Sequence, residues 1–337
     1  MELRAFAASL RLAETFAIAR RARDVQEVVR IELEHEGVIG LGEGTPVYFW
    51  GETAESALDF LTAEAPALLG DDPFALEAVG ARLAARPGEQ AAKAALDAAL
   101  HDWIGKRLGL PAWRLLGLSP LGPPTSFTIG IDTVEGTADR ARRARGFEVL
   151  KVKVGGPDDV ARLEAVRGAS GARLRVDGNE GWTLETLREL MPALIELGVE
   201  YVEQPFPADD VESFRALREL TARLPIIIDE GCGGLSSVAP IADYADGINI
   251  KLAKAGGVRE AVRMVHAARA LGLRVMLGCM VESALGIAPA AHIASLVDYA
   301  DLDGHLLLAE QPFTGLELRD GRVTPSAHPG LGVRPGP

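Results

Sequence analysis

Residues 149–154 read VLKVKV, a strand-like run of valine and leucine that carries two lysines, Lys151 and Lys153. Short β-branched or apolar runs bounded by turn residues predict strands. Working outward, similar runs occur at 127–131 (FTIGI), 174–178 (LRVDG), 199–203 (VEYVE), 225–229 (PIIID), 247–252 (GINIKL), 274–279 (RVMLGC) and, more weakly, 299–303 (YADLD). Between them, residues 135–145, 157–168, 183–197, 209–223, 257–271 and 284–297 carry helical patterns. Strand starts fall roughly every 22–27 residues, room for one strand, one helix and two short loops. Eight such units predict an α/β protein built as a closed barrel. An open dinucleotide-binding sheet is disfavoured, since no Gly-x-Gly-x-x-Gly follows the first strand.

The segment before the barrel reads as α+β. A strand is expected over 25–36, then a turn-rich stretch from Gly37 to Pro46, then helices over 52–69, 73–85 and 88–107. Residues 117–126 (GLSPLGPPTS) hold three prolines and two glycines and mark a boundary. Beyond 305, Asp320-Gly321 signals a hairpin turn in a tail expected to pack back on the first domain.

Composition narrows the functional classes. The 337 residues are 48% hydrophobic and 25% charged, and the net charge is −13. A surface that acidic repels phosphate backbones, so no nucleic-acid partner is expected. Two cysteines, Cys232 and Cys279, are too few for a disulfide framework or a cysteine metal cluster. The longest uncharged run, Leu115 to Ile131, holds Pro120, Pro123 and Pro124, so no membrane span is expected. Met1 leads directly into charged residues without an apolar signal region, which predicts a cytoplasmic protein.

The ends of the barrel strands carry the chemistry. Active sites of such barrels sit at the carboxyl ends of the strands. There the chain places Asp177 (with Asn179 beyond it), Glu203 and Asp229 (with Glu230 next), successive acids 26 residues apart. Any one of them could be a helix N-cap. Three at one register repel one another unless a cation lies between them, and oxygen-only ligation favours Mg²⁺ first and Mn²⁺ second. Lys151 and Lys153 share one face of their strand, and each is expected to depress the other's pKa, which suits a lysine there to base work. Lys251, four strands further round, approaches from the opposite side. Two opposed bases around a metal-held carboxylate suit proton transfer at a carbon acid.

Lys151-x-Lys153, Asp177-x-Asn179, Glu203-x-Pro205, Asp229-Glu230 and Lys251 together resemble the enolase superfamily, muconate-lactonizing subgroup. The resemblance implies a (β/α)7β TIM-like barrel at 118–308 with an N-terminal α+β capping domain at 1–117. A C-terminal tail at 309–337 would return to the cap. It implies that Asp177, Glu203 and Asp229 ligate the metal, that Lys153 and Lys251 are the acid/base pair, and that Lys151 supports Lys153. Asp301-x-Asp303 is similar to the dipeptide epimerases, where such a pair binds the substrate's free α-ammonium. Gly278-Cys279-Met280-Val281-Glu282-Ser283 is also like theirs, with Glu282 near the site.

The stretch Glu14 to Asp24 (ETFAIARRARD) is expected to be a loop that closes over the substrate. It holds Arg20, Arg21 and Arg23; one of them pointing inward, with Arg23 the candidate, would read an acidic side chain as in alanyl-glutamate epimerases, though an exposed basic turn would look the same. Thr128 on the first barrel strand is a further candidate lining residue. The expected partner is a small dipeptide, and the chain is compatible with a homo-oligomer. Competing activities are o-succinylbenzoate synthase, N-acylamino-acid racemase and cycloisomerase, whose substrates offer no ammonium to Asp301 and Asp303. A non-catalytic binding barrel is disfavoured, because buried ionisable groups kept without catalysis only cost stability.

Overall fold

The computed structural model describes residues 1–156, 158–220 and 223–336. Parts of two expected helices, at Pro157 and at Thr221–Ala222, lie outside the described residues. The chain opens with three antiparallel strands in sequence order, β1 (Glu2–Ile18), β2 (Arg21–His35) and β3 (Val38–Gly44). Val29, Ile31 and Leu33 of β2 alternate inward and pack with Leu96, Leu100 and Trp103 of the helix Gln90–Leu108. Burying that apolar face is what holds the small sheet together.

Two expectations change here. Glu14–Asp24 is not a free loop: it is the end of β1 and the start of β2, which reverse between the paired residues Ile18 and Arg21. Nor is Gly37–Pro46 a run of turns. Only Glu36 and Gly37, with φ of 51° and 76°, make the reversal; Val38–Gly44 is strand. Gly40, Gly42 and Gly44 lie against Ala99, Ala95 and Ala91, and a Cβ on any of them would run into the facing carbonyl oxygen. Two strand residues span about 6.6 Å and four helical residues about 6 Å, so the glycines and alanines stay in step along the seam.

β1 has a second irregularity. Arg11 pairs with Val25 but Phe16 with Arg23, so Leu12–Thr15 leave the ladder with β2 as a bulge. Leu12 instead bridges to Leu308, and Ala309 N–H donates to Arg11 O at 2.9 Å. The expected helix 52–69 is divided into Ala54–Asp59, a π-helical turn at Phe60–Glu64, and Ala65–Leu69 with Pro66 in its first turn.

The barrel is as expected. Eight parallel strands follow in order: β4 (Phe127–Ile129), β5 (Val149–Lys153), β6 (Arg173–Asp177), β7 (Val199–Glu203), β8 (Ile226–Ile228), β9 (Gly247–Lys251), β10 (Arg274–Gly278) and β11 (Tyr299–Asp301). The ring closes where Thr125 bridges to Ala300 and Ser126 N–H donates to Ala300 O at 3.1 Å. Helices lie outside between the strands; one of them, Leu235–Ile241, was not anticipated from its short, proline-containing sequence. Lys153 pairs with Asp177 and Asp177 with Glu203, while Lys251 pairs with Gly278 and Gly278 with Asp301. The ionisable residues therefore stand at one level, the carboxyl rim.

After β11 the hairpin Leu316–Arg319/Arg322–Pro325 turns at Asp320 and Gly321, both with positive φ. Leu331 N–H then donates to Asp102 Oδ1 at 2.8 Å, against the Gln90–Leu108 helix. Among the described residues no helix is long and apolar enough to cross a membrane.

Candidate active site

Six of the eight strand ends, those of β5, β6, β7, β8, β9 and β11, deliver charged side chains into a shared, buried volume. Oxygen atoms of Asp177, Glu203 and Asp229 all lie within 4.8 Å of one another, and all three residues are buried. Lys151 Nζ stands 3.0 Å from Asp177 Oδ2, 2.8 Å from Glu203 Oε2 and 2.8 Å from Asp301 Oδ2. Lys153 Nζ donates to Asp177 Oδ2 at 2.6 Å, and Lys251 Nζ to Asp229 Oδ2 at 2.8 Å. Their strands, β5 and β9, are four apart in a ring of eight, so the two ammonium groups reach the carboxylates from opposite sides.

Burial drives the electrostatics. It pushes Glu203 up to about 8, aided by the charges of Asp177 and Asp229. Burial opposes ionisation of Asp177 too, but Lys151 and Lys153 outweigh it and hold that carboxyl below its ordinary range. For Asp229, Lys251 and Lys254 do the same. Lys151 does not follow the expected mutual depression of neighbouring ammonium groups. Burial lowers it, yet Asp177, Asp301 and Glu203 outweigh burial and raise it well above the usual lysine value.

The donor set fits a hard divalent ion. All its ligating atoms are carboxylate oxygens, no His or Cys among the described residues takes part, and burial together with the charges of Asp177 and Asp229 disfavours a third negative charge on Glu203 unless a cation shares the site. Glu203 Oε2, although near Lys151, lacks an aligned hydrogen bond and so keeps a lone pair to offer. Asn249 Nδ2 donates to the other oxygen, Oε1, at 2.8 Å and fixes the carboxylate plane.

Asp301 and Asp303 sit at the eighth strand end. Asp301 accepts from Lys151 at 2.8 Å and also from Ser126 Oγ; Asp303 accepts from Thr128 N–H at 2.6 Å and from Thr128 Oγ1 at 3.2 Å. Burial, reinforced by Asp301, pushes Asp303 up to about 7.

A cavity of about 70 Å³ lies over these groups, lined by Lys151, Lys153, Lys251, Asp301, Asp303 and Thr128 on the barrel side. Phe16, Ile18, Arg20, Arg23, Tyr48 and Phe49 of the N-terminal segment close it. Arg23 thus reaches the cavity from β2; burial, with Arg21 beside it, lowers its guanidinium to about 10. Glu282 does not line this cavity. It faces a separate small pocket with Glu43 and Pro289, where burial and Glu43 raise it to about 8. Cys279, Met280 and Val281 just before it line the main cavity, and the Lys251 charge still reaches Glu282.

Sequence reasoning missed Lys254 and did not single out Arg20. Lys254 Nζ donates to Asp229 Oδ1 at 2.6 Å; its signal was the Lys-x-x-Lys spacing, one helical turn past Lys251. Arg20 pairs with Glu180 and Glu230 and lies over the Phe49 ring at 5.6 Å. Its sequence neighbours gave no way to single it out from Arg21 and Arg23.

Comparison with known proteins agrees with this geometry. Residues 1–117 match the mandelate racemase / muconate lactonizing enzyme N-terminal domain, and residues 134–337 match the enolase C-terminal domain-like family. The L-Ala-D/L-Glu epimerase of Bacteroides thetaiotaomicron is 38% identical over 337 residues, 99% of this chain and 88% of that one. A substrate-liganded L-Ala-D/L-Glu epimerase from Bacillus subtilis has a TM-score of 0.92 at 30% identity, over 99% of this chain and 98% of that one. The Enterococcus faecalis dipeptide epimerase complexed with Mg and L-Leu-L-Tyr gives 0.91 at 32% identity, covering 98% of each chain. The chain belongs to the mandelate racemase / muconate lactonizing enzyme family of the enolase superfamily.

Proposed function

We propose that this protein is a Mg²⁺-dependent dipeptide epimerase that inverts the α-carbon next to the substrate's terminal carboxylate. The observation that carries the reading is the pair Lys153 and Lys251, reaching one carboxylate cluster from opposite sides. Asp177, Glu203 and Asp229 would hold the ion, which neutralises charge building on the substrate carboxylate as the α-proton leaves. Lys153 takes the proton from one face as the C–H bond breaks, and its amine becomes an ammonium. Lys251, already an ammonium, gives a proton to the opposite face, so the carbon returns inverted and the proton count is unchanged. In the reverse direction the two lysines exchange roles. Lys151, held cationic by three carboxylates, keeps positive charge beside the developing enolate.

The buried Asp301 and Asp303 form a site for a cation, and a dipeptide brings an α-ammonium. Substrates of o-succinylbenzoate synthase, N-acylamino-acid racemase or cycloisomerase bring none, which favours the dipeptide reading over them. Arg23 lines the cavity, and on this reading it would meet the side chain of the residue that is inverted and select an acidic one. The net charge of −13 argues for a protein that works free of nucleic acid, and we assign it to the cytoplasm.

The test is a library of L,L-dipeptides incubated with enzyme and Mg²⁺ in deuterated water, read by mass spectrometry. Incorporation of one deuterium at the C-terminal residue is expected for a subset; none across the library would refute the function. Asp303→Asn should raise KM for the best dipeptide about 10–100-fold, the cost of one charged hydrogen-bond partner. An unchanged KM would remove the ammonium site from the reading.

A further inference from the structure

The cavity over the lysines holds about 70 Å³, whereas sites that enclose small molecules usually measure about 300–1,000 Å³. A second cavity of about 310 Å³ adjoins it and shares three walls with it, Phe16, Thr128 and Leu307. Together the two reach the volume that a dipeptide needs. The second cavity exists because of the β1 bulge: Leu12–Thr15 swing away from β2 and form one wall, while Phe127, Ala144 and Phe147 of the barrel form the other. Phe127 and Phe147 stack with ring centroids 4.8 Å apart.

The two chambers differ in chemistry. Beyond its three shared walls, the catalytic chamber is lined on the barrel side largely by charged side chains. The second is floored by aromatic and aliphatic groups. Its polar rim is already satisfied: Glu14 pairs with Arg143 at 3.0 Å and with Arg140 at 3.3 Å, and Arg140 also pairs with Asp132 at 3.3 Å. Among the described residues these two acids and two arginines balance one another, which disfavours an ionic ligand there.

Thr128 links the chambers. Its backbone N–H and hydroxyl hold Asp303, and its side chain borders both spaces. Under the reading above, the substrate ammonium lies at Asp303, so the carbon one bond away stands beside this wall. The side chain on that carbon has two directions open, toward the charged cluster or past Phe16 and Leu307 into the second chamber. Desolvating an apolar group against buried lysines and carboxylates is unfavourable; burying it among Phe127, Phe147 and Leu306 is favourable.

We infer that the second cavity is the subsite for the side chain of the substrate's N-terminal residue, and that it selects a large apolar side chain, with Phe16 as the gate. This rests on the dipeptide-epimerase reading and adds the class of N-terminal residue to it.

The test uses matched pairs L-Ala-L-Xaa and L-Phe-L-Xaa, with Xaa the best C-terminal residue from the library. Deuterium exchange gives kcat/KM for each in the full-length Mg²⁺-loaded enzyme. The wild type should favour the Phe substrate by about tenfold or more, a hydrophobic-pocket effect. Ala13→Trp, which fills the chamber from an exposed strand position, should lower the Phe-to-Ala ratio about tenfold. Leu306→Trp repeats the test from the opposite wall should the first variant unfold. Turnover of L-Ala-L-Xaa with rejection of L-Phe-L-Xaa would overturn the subsite and leave the epimerase reading standing. A Phe-to-Ala ratio unmoved by folded filling variants would overturn it as well. Exchange of no dipeptide at all would bring down both.

Discussion

Replacing His292 with glutamine should flatten the acid limb of the protein's stability. His292 is buried in the helix Ala284–Ile293, where Trp113 N–H donates to its Nδ1 at 3.0 Å and its Nε2 lies 3.1 Å from Leu331 O. Nδ1 must therefore carry the lone pair, and Nε2–H must donate. A second proton would set N–H against N–H at Trp113 inside an apolar wall. Burial, above all, lowers this imidazole from 6.5 to about 4. The sign follows from proton binding. Between pH 6.5 and 4 the unfolded chain takes up a proton that the folded chain refuses, so stability falls as pH falls through that window. At 1.36 kcal/mol per pH unit the whole window is worth ~3.4 kcal/mol, of which roughly 2 kcal/mol is gone by pH 5. Urea unfolding of wild type and His292→Gln at pH 7.5 and pH 5 isolates this residue, since other titrations appear equally in both. The wild type should lose about 2 kcal/mol more than the variant over that interval. Equal losses would mean that the imidazole is readily protonated in the fold, and the hydrogen-bond argument would be wrong.

Three other outcomes are expected. Lys153→Ala and Lys251→Ala should each lower epimerisation about 10²–10⁴-fold with little change in melting temperature, and each variant should exchange the α-proton of only one substrate stereoisomer; NMR in deuterated water decides. Gly42→Ala should destabilise by about 1–3 kcal/mol, because a methyl group cannot fit under the Ala95 carbonyl. Gly146→Ala, with open space around it and no positive φ, is the control and should stay within about 0.5 kcal/mol of wild type by thermal unfolding. Chelation should abolish activity and Mg²⁺ restore it; at a hundredfold excess over its dissociation constant Mg²⁺ should also add about 2.7 kcal/mol of stability. That gain should vanish in Asp177→Asn, as read by calorimetry.

The charged residues of the site were legible because they broke a pattern. Asp177, Glu203 and Lys251 each interrupt a run of buried strand residues, and an acid or lysine there has no bland explanation once three recur at one register. The barrel followed from the spacing of those runs. What stayed hidden depended on pairing. β1 is rich in alanine and polar residues, and it is a strand because β2 lies beside it. Gly40, Gly42 and Gly44 carry a strong turn signal locally, yet serve to admit a helix that is distant in sequence. Arg20 and Arg23 look alike in the chain; only the positions of Glu180 and Glu230 separate them. Glu282 was expected near the site from its neighbours; it is buried directly behind Val281, facing Glu43 in an adjoining pocket.

The glycine–alanine seam also bears on how the enzyme would cycle. The Gln90–Leu108 helix is fastened to β3 on one side, and on another its Asp97 accepts from Val258 N–H at 2.6 Å, at the start of a barrel helix. With no side-chain layer to slide on, this shared spine resists bending, so a whole-lobe swing is an expensive way to admit a ligand. Access falls instead to the tip of the β1–β2 ribbon, where Phe16, Ile18, Arg20 and Arg23 sit. Turnover speed and substrate choice would then be tuned by the same few residues, and a lineage could change its diet by rewriting that tip while leaving the scaffold untouched.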